Sequence, residues 1–170
     1  GLGDVYKRQE WMRKDPFYGY KMAQDETDPV FLTYPELKSI MEKEFTIPRL
    51  ALVRDIFVFA AFTGLAFANV STLTKDNLVQ DNNGDWWIRK GRVKLERRHR
   101  ASSVCNIPLL PVPLAILKKY EEHPICRKKS LCLPVICNQR MNSYLKEIAD
   151  LCNIRKNLTT HTAKHSKIYI

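Results

Sequence analysis

NLVQDNNGDWWIRKGRVK, residues 77–94, is where the periodicity of this chain changes. NLVQ and DWWIRKGRVK are strand-like, rich in β-branched and aromatic residues, and DNNGD between them carries turn chemistry. With VCNIPL further on (Val104–Leu109) they predict a small antiparallel sheet of three strands inside a chain that is otherwise helical by pattern. Trp86 and Trp87 are adjacent, so in a strand they face opposite sides. One is expected in the core and the other against a linker or a partner.

Helical signals lie on both sides of this sheet. In TYPE, Thr33 is the expected N-cap, Pro35 sits in the first turn and Glu36 holds the capping-box position. Leu37, Ile40 and Met41 then recur at helical spacing, with an end expected near Phe45. A second helix is expected from Arg49 to Phe62. Its periodic positions Leu50, Val53, Ile56, Phe57 and Ala60 are apolar, and so are Phe59, Ala61 and Phe62. A helix apolar all round is a buried one. It needs cover on more than one side, part of it expected from beyond Ile170. Gly64 breaks this helix, and a short one follows with Asn69 as its N-cap. Downstream, PVPLAILKKY (111–120) reads as helix, PICRKKSLCLP (124–134) as loop and NQRMNSYLKEIADLCN (138–153) as an amphipathic helix. In the last, Asn138 is the expected cap, Met141, Tyr144, Leu145, Ile148 and Leu151 the apolar face, and Asn153 the stop. A final element should start near Thr160. The fold class is α+β and mostly helical, a helical body with a three-stranded antiparallel sheet at one edge.

The bulk numbers agree with one globular domain: 170 residues, 45% apolar and 27% charged. The longest apolar run, Ile56–Phe62, is far too short to span a membrane. The first twenty residues are charged and aromatic and have no apolar secretion core, so a cytoplasmic protein with reduced thiols is expected. Residues 1–9, GLGDVYKRQ, fit no periodic element and read as an adapter-like, non-native segment. Residues 10–30, with KDPFYGYK, read as a turn-rich linker. Residues 31–170 read as the domain, incomplete at its C-terminus. The five cysteines are Cys105, Cys126, Cys132, Cys137 and Cys152. A zinc set of Cys126, Cys132, Cys137 and His123 lacks any C-x-x-C pair, so packing is their expected role and no metal site is expected.

Charge points to a partner. Lys and Arg number 28 against 18 Asp and Glu, a formal +10. Such a field attracts polyanions, nucleic acid first and acidic membrane surfaces second. Arg89, Lys90, Arg92, Lys94, Arg97, Arg98 and Arg100 cluster on and beyond the second strand, opposed only by Glu96. A basic two-stranded ribbon can lie against a DNA groove with its cations on phosphates. No aromatic residues are interleaved on the Arg97–Arg100 side, which argues against a base-stacking platform for single strands.

The chain closes on LTTHTAKHSKIYI (158–170). His161, Lys164 and His165 would stand on the first turns of a helix, able to place donors around an anion. A polar helix start is the plainer reading of these residues taken alone.

Three further segments occur in order: FTGLAFANVSTLTKDNL, WIRKGRVK followed by NIPLLPVPLAIL, and NSYLKEIADLCNIRKNLTTHTAKHS. Together they resemble the catalytic domain of tyrosine-type site-specific recombinases, the phage integrase family. The likeness is greatest to integrases of conjugative transposons and of mobile elements of gut bacteria. It covers about Phe31 to Ser166. DPFYGYKMAQDETDPVFLTYPEL resembles the family's connection from its DNA-gripping arm domain.

This resemblance implies DNA integration and recombination through a 3′-phosphotyrosyl intermediate, on double-stranded DNA, with no cofactor. It implies a homo-tetramer on DNA for the intact protein, and no membrane. Two arginines, a lysine and one or two histidines serve the phosphate in that family. Position by position, Ala66 in TGLAFAN stands where the first arginine is usual, and Asn69 where an acidic residue is usual. The hairpin lysine best matches Lys94 in RVK, with Lys90 competing. His161-Thr-Ala-Lys164 matches H-x-x-R, with lysine keeping the charge but not the bidentate fork. His165 follows as in many relatives. Tyr169 comes only eight residues after His161, too early for the nucleophile. The chain is therefore expected to bind DNA and to be inactive alone. Two other readings stay open: a non-catalytic DNA-binding protein on the same fold, and a basic structural or RNA-binding domain.

Overall fold

The computed structural model describes residues 30–91 and 104–166. Among them the order is α1 (Tyr34–Glu42), α2 (Pro48–Thr63), α3 (Phe67–Ser71), a 3-10 turn (Lys75–Asn77), β1 (Leu78–Gln80), β2 (Trp86–Gly91) and β3 (Val104–Pro108). Then come α4 (Pro111–Tyr120), α5 (Pro124–Lys129), α6 (Asn138–Leu151) and α7 (Thr160–His165). No helix among these residues is long and apolar enough to cross a membrane.

The first helix starts where its cap residues place it. Glu36 Oε2 accepts both the Thr33 amide at 2.7 Å and the Thr33 hydroxyl at 2.9 Å. The helix ends at Glu42, three residues before Phe45.

α2 is the axis of the molecule. Pro48 opens it, and Gly64 closes it with φ 67°, a left-handed conformation that glycine adopts without strain. Every residue from Asp55 to Thr63 is buried. The cover comes from α1, α4, α6 and α7, all of which pack on α2. The expected need for cover from beyond Ile170 is thus met within the chain along this stretch.

One charge lies inside that apolar shell. Asp55 is buried, and its carboxylate accepts from Arg54 Nε at 2.9 Å, Lys119 Nζ at 2.7 Å and the Tyr120 hydroxyl at 2.8 Å. A buried carboxylate needs such partners. Here they also fasten α4 to α2. Burial first, and then the hydrogen bond to Asp55 and its negative charge, push the Tyr120 phenol well above its ordinary pKa.

The sheet is antiparallel with order β1-β2-β3. Ile88 pairs with Leu78 on one side and Ile107 on the other. It is Ile88 that enters the core, fully buried, whereas Trp86 is exposed and Trp87 half-buried. Neither tryptophan fills the expected core place. The indole N–H of Trp87 donates to Asp81 Oδ2 at 3.0 Å. Asp81 Oδ1 in turn accepts the amides of Asn83 and Asp85, each at 2.9 Å, which shapes the turn in which Gly84 takes φ 90°.

Two further local expectations are revised. Residues 124–134 are not all loop: Pro124–Lys129 form α5, because the His123 ring accepts the Ile125 amide at 3.3 Å and Pro124 fits the first turn. The N-cap of α3 is Ala66, so Asn69 lies within that helix.

Candidate functional site

α7 carries two faces. Thr162 and Ala163 are buried, as is Ser166 just past its end, whereas His161, Lys164 and His165 are exposed. A six-residue helix has little stability of its own, so its neighbours must hold it. Thr159 caps it, its hydroxyl accepting from the Thr162 amide. Two asparagines of α6 reach across to its start: Asn142 Oδ1 accepts the Thr160 amide at 2.9 Å and Asn138 Oδ1 accepts the Thr160 hydroxyl at 2.8 Å. Asn138 is therefore not the cap of its own helix, where Cys137 takes that position. At the other end, Ser166 donates to the Thr162 carbonyl at 2.8 Å and accepts the Leu32 amide at 2.7 Å.

This framework holds in place the helix that carries the exposed side chains. His161 Nε2 and His165 Nε2 lie 2.8 Å apart, with ring centroids 4.4 Å apart and planes at 68°. In such an N···N contact one nitrogen donates and the other accepts. The accepting ring is then neutral, with its proton on Nδ1. The pair can pass a proton along itself, and Lys164 adds a positive charge beside it.

The buried side of α7 meets α2 and α3. Thr160 and Ala163 line one narrow cleft with Ile56, Phe57 and Ala60 of α2 and Phe67 and Val70 of α3. Ala66, immediately before α3, offers a methyl group and a backbone carbonyl that accepts the amides of Asn69 and Val70. The far end of α3 meets the sheet: Lys90 Nζ donates to the Thr72 carbonyl, and to Asn77 Oδ1 at 3.3 Å. α3 thus links the β2 hairpin to α7.

Arg89 lies on the opposite face of β2 from Lys90 and is exposed. Arg92, Lys94, Arg97, Arg98 and Arg100 lie outside the described residues, as does Tyr169. Of the sequence-derived site residues, the structure brings His161, Lys164 and His165 together and places Arg89 and Lys90 on the hairpin reached through α3. Sequence reasoning missed Asn142, Ser166 and Leu32, which hold the site from behind. The only trace of Asn142 was its four-residue spacing from Asn138, which puts both amides on one face of α6.

The cysteines line no cluster. Among the described residues no group of three His, Cys, Asp or Glu side chains could hold a metal ion. Cys126 and Cys132 are in the core, and burial pushes both thiols up, Cys132 to about 11.

No family model matches the chain, and neither does any curated protein. Solved structures do match. The XerH site-specific recombinase, in a post-cleavage complex with palindromic difH substrate, superposes with a TM-score of 0.63 at 17% identity, over 86% of this chain and 43% of that one. The Tn1549 transposon integrase in complex with circular intermediate DNA gives 0.58 at 14% identity, over 97% of this chain and 62% of that one. The XerA recombinase gives 0.55 at 13%, over 96% and 63%. At these identities the likeness is one of fold, and the chain spans less than half of the XerH chain. The fold is that of the tyrosine recombinases, a mostly helical body with a small three-stranded antiparallel sheet.

Proposed function

We propose that this chain binds double-stranded DNA as part of a tyrosine recombinase, working in DNA integration and site-specific recombination. The single observation that carries this is the fold shared with recombinases, two of them DNA-bound, over most of the chain. The exposed cations of α7 and the hairpin support it, as does the formal charge of +10.

In the intact protein a tyrosine hydroxyl attacks the scissile phosphate. The P–O bond to the tyrosine forms as the bond to the 5′-oxygen breaks, leaving a 3′-phosphotyrosyl link. Lys94 gives a proton to the leaving oxygen, with Lys90 as the competing donor. His161 and His165 take up the phenolic proton or donate to the phosphate, and Lys164 neutralises its charge. Arg89, Arg92, Arg97, Arg98 and Arg100 hold the duplex backbone, and Lys90, bonded to Thr72 and Asn77, supports the strand that carries Arg89. Tyr120 is no candidate nucleophile, since its hydroxyl is committed to Asp55. The intact protein acts as a tetramer on DNA. No cofactor enters this reaction.

A second reading, DNA binding without chemistry, draws on Ala66, whose side chain offers no donor where the family's first arginine is usual.

The test is binding of labelled duplex over a salt series, with duplex RNA for comparison. DNA affinity should fall steeply with salt, and Arg97→Ala, Arg98→Ala and Arg100→Ala together should flatten the slope. Equal affinity for RNA, or an unchanged slope in the triple variant, would overturn the assignment.

A further inference from the structure

His161 and His165 have a second property that proton transfer does not use. Two imidazole nitrogens bound cis on one square-planar or octahedral metal, at metal–nitrogen distances of about 2.0–2.1 Å and roughly a right angle, stand roughly 2.9 Å apart, and on tetrahedral zinc roughly 3.3 Å. The observed Nε2 separation is 2.8 Å. Both rings are on the solvent side of α7, one helical turn apart. The helix beneath them is held at its start by Asn142 and Asn138 and at its end by Ser166. The pair therefore holds the spacing of a chelate without a change in backbone.

We propose that His161 and His165 form a bidentate site for a borderline divalent transition metal such as Ni²⁺, Cu²⁺ or Zn²⁺. It is a side-chain site and makes no use of the helix's free amides. Imidazole suits these ions, whereas Mg²⁺ prefers oxygen ligands and is not bound here. Among the described residues no third His, Cys, Asp or Glu completes a closed cage. The ion keeps open coordination positions, and binding is weaker than in a structural zinc site. Lys164 stands on the same exposed face and opposes the ion by its charge. Occupation engages both Nε2 atoms and takes them out of proton transfer. That consequence rests on the recombinase reading, but the binding itself does not.

The experiment uses the 170-residue chain without DNA. Ni²⁺ titrated calorimetrically should bind one equivalent. His161→Gln and His165→Gln should each weaken binding roughly tenfold or more, since each removes one of two ligands. Lys164→Gln should tighten it. Circular dichroism confirms that each variant keeps its helices. Zn²⁺ followed by histidine side-chain NMR gives a measurement on the unaltered chain: His161 and His165 signals should shift together, with His123 unmoved. Co²⁺ should give no thiolate charge-transfer absorption. Unchanged Ni²⁺ affinity in both histidine variants, a shift of His123 instead, or a thiolate band would overturn the proposal.

Discussion

The Leu32 amide donates to the Ser166 hydroxyl at 2.7 Å, joining the segment before the first helix to the residue after the last across 134 positions of sequence. Lys156 strengthens this junction. Its ammonium reaches the Phe31 carbonyl at 3.1 Å and Glu36 at 2.7 Å. Burial pushes the Glu36 carboxyl up, and the bonds from Lys156 and Thr33 outweigh it, holding the group below its ordinary pKa.

Ser166→Ala should destabilise the protein by about 1–3 kcal/mol, because it leaves the buried Leu32 amide without an acceptor. Urea unfolding measures this. Lys156→Met, at a partly exposed ion pair, should cost less, about 0–1 kcal/mol.

Tyr120→Phe should change how stability depends on pH. The phenol's pKa is raised in the folded state. Its contribution is therefore complete below the unfolded value of about 10 and declines above it, where only the unfolded chain releases the proton. The wild-type protein should lose stability faster than Tyr120→Phe as pH rises beyond that value. Parallel curves from thermal melts would refute the assignment.

Asn142→Ala removes the acceptor for the Thr160 amide. A lost helix cap costs about 1 kcal/mol. Hydrogen exchange should show faster exchange of the α7 amides, with those of α2 unchanged. A uniform change across the molecule would count against a local role.

Arg89 and Lys90 should differ in salt dependence although they are neighbours. The Lys90 ammonium is bonded to Thr72 and Asn77, whereas Arg89 faces solvent. Arg89→Ala should lower the salt slope of duplex binding by about one. Lys90→Met should lower affinity through a loosened hairpin and leave the slope nearly unchanged. Binding isotherms at several salt concentrations separate the two.

Incubated with a nicked suicide duplex, the 170-residue chain should give no covalent adduct on a denaturing gel. Tyr169 follows His161 too closely to serve as the nucleophile, and Ala66 in addition supplies no side-chain donor, a loss that typically costs about 3–4 kcal/mol of transition-state stabilisation. A covalent adduct lost on Tyr169→Phe would refute this.

Much of this structure is legible in the sequence because it depends on near neighbours. The Thr33–Glu36 cap, the helix from Pro48 to its stop at Gly64, the strand–turn–strand of residues 78–91 and the helix at 111–120 all follow from signals within a few residues. The grouping of His161, Lys164 and His165 on one face follows equally from helical spacing. Other features follow from contacts between residues distant in sequence. Ile88 rather than a tryptophan enters the core, because the sheet register sets which side faces the core, and the indole of Trp87 finds Asp81 in the turn. Asn138 accepts the Thr160 hydroxyl of α7 instead of capping its own helix, Lys90 turns back to α3, and Ser166 receives Leu32. Each of these is a polar group whose partner lies on another element. Local pattern reports that such a group needs a hydrogen bond; only the closing of the chain decides which group supplies it.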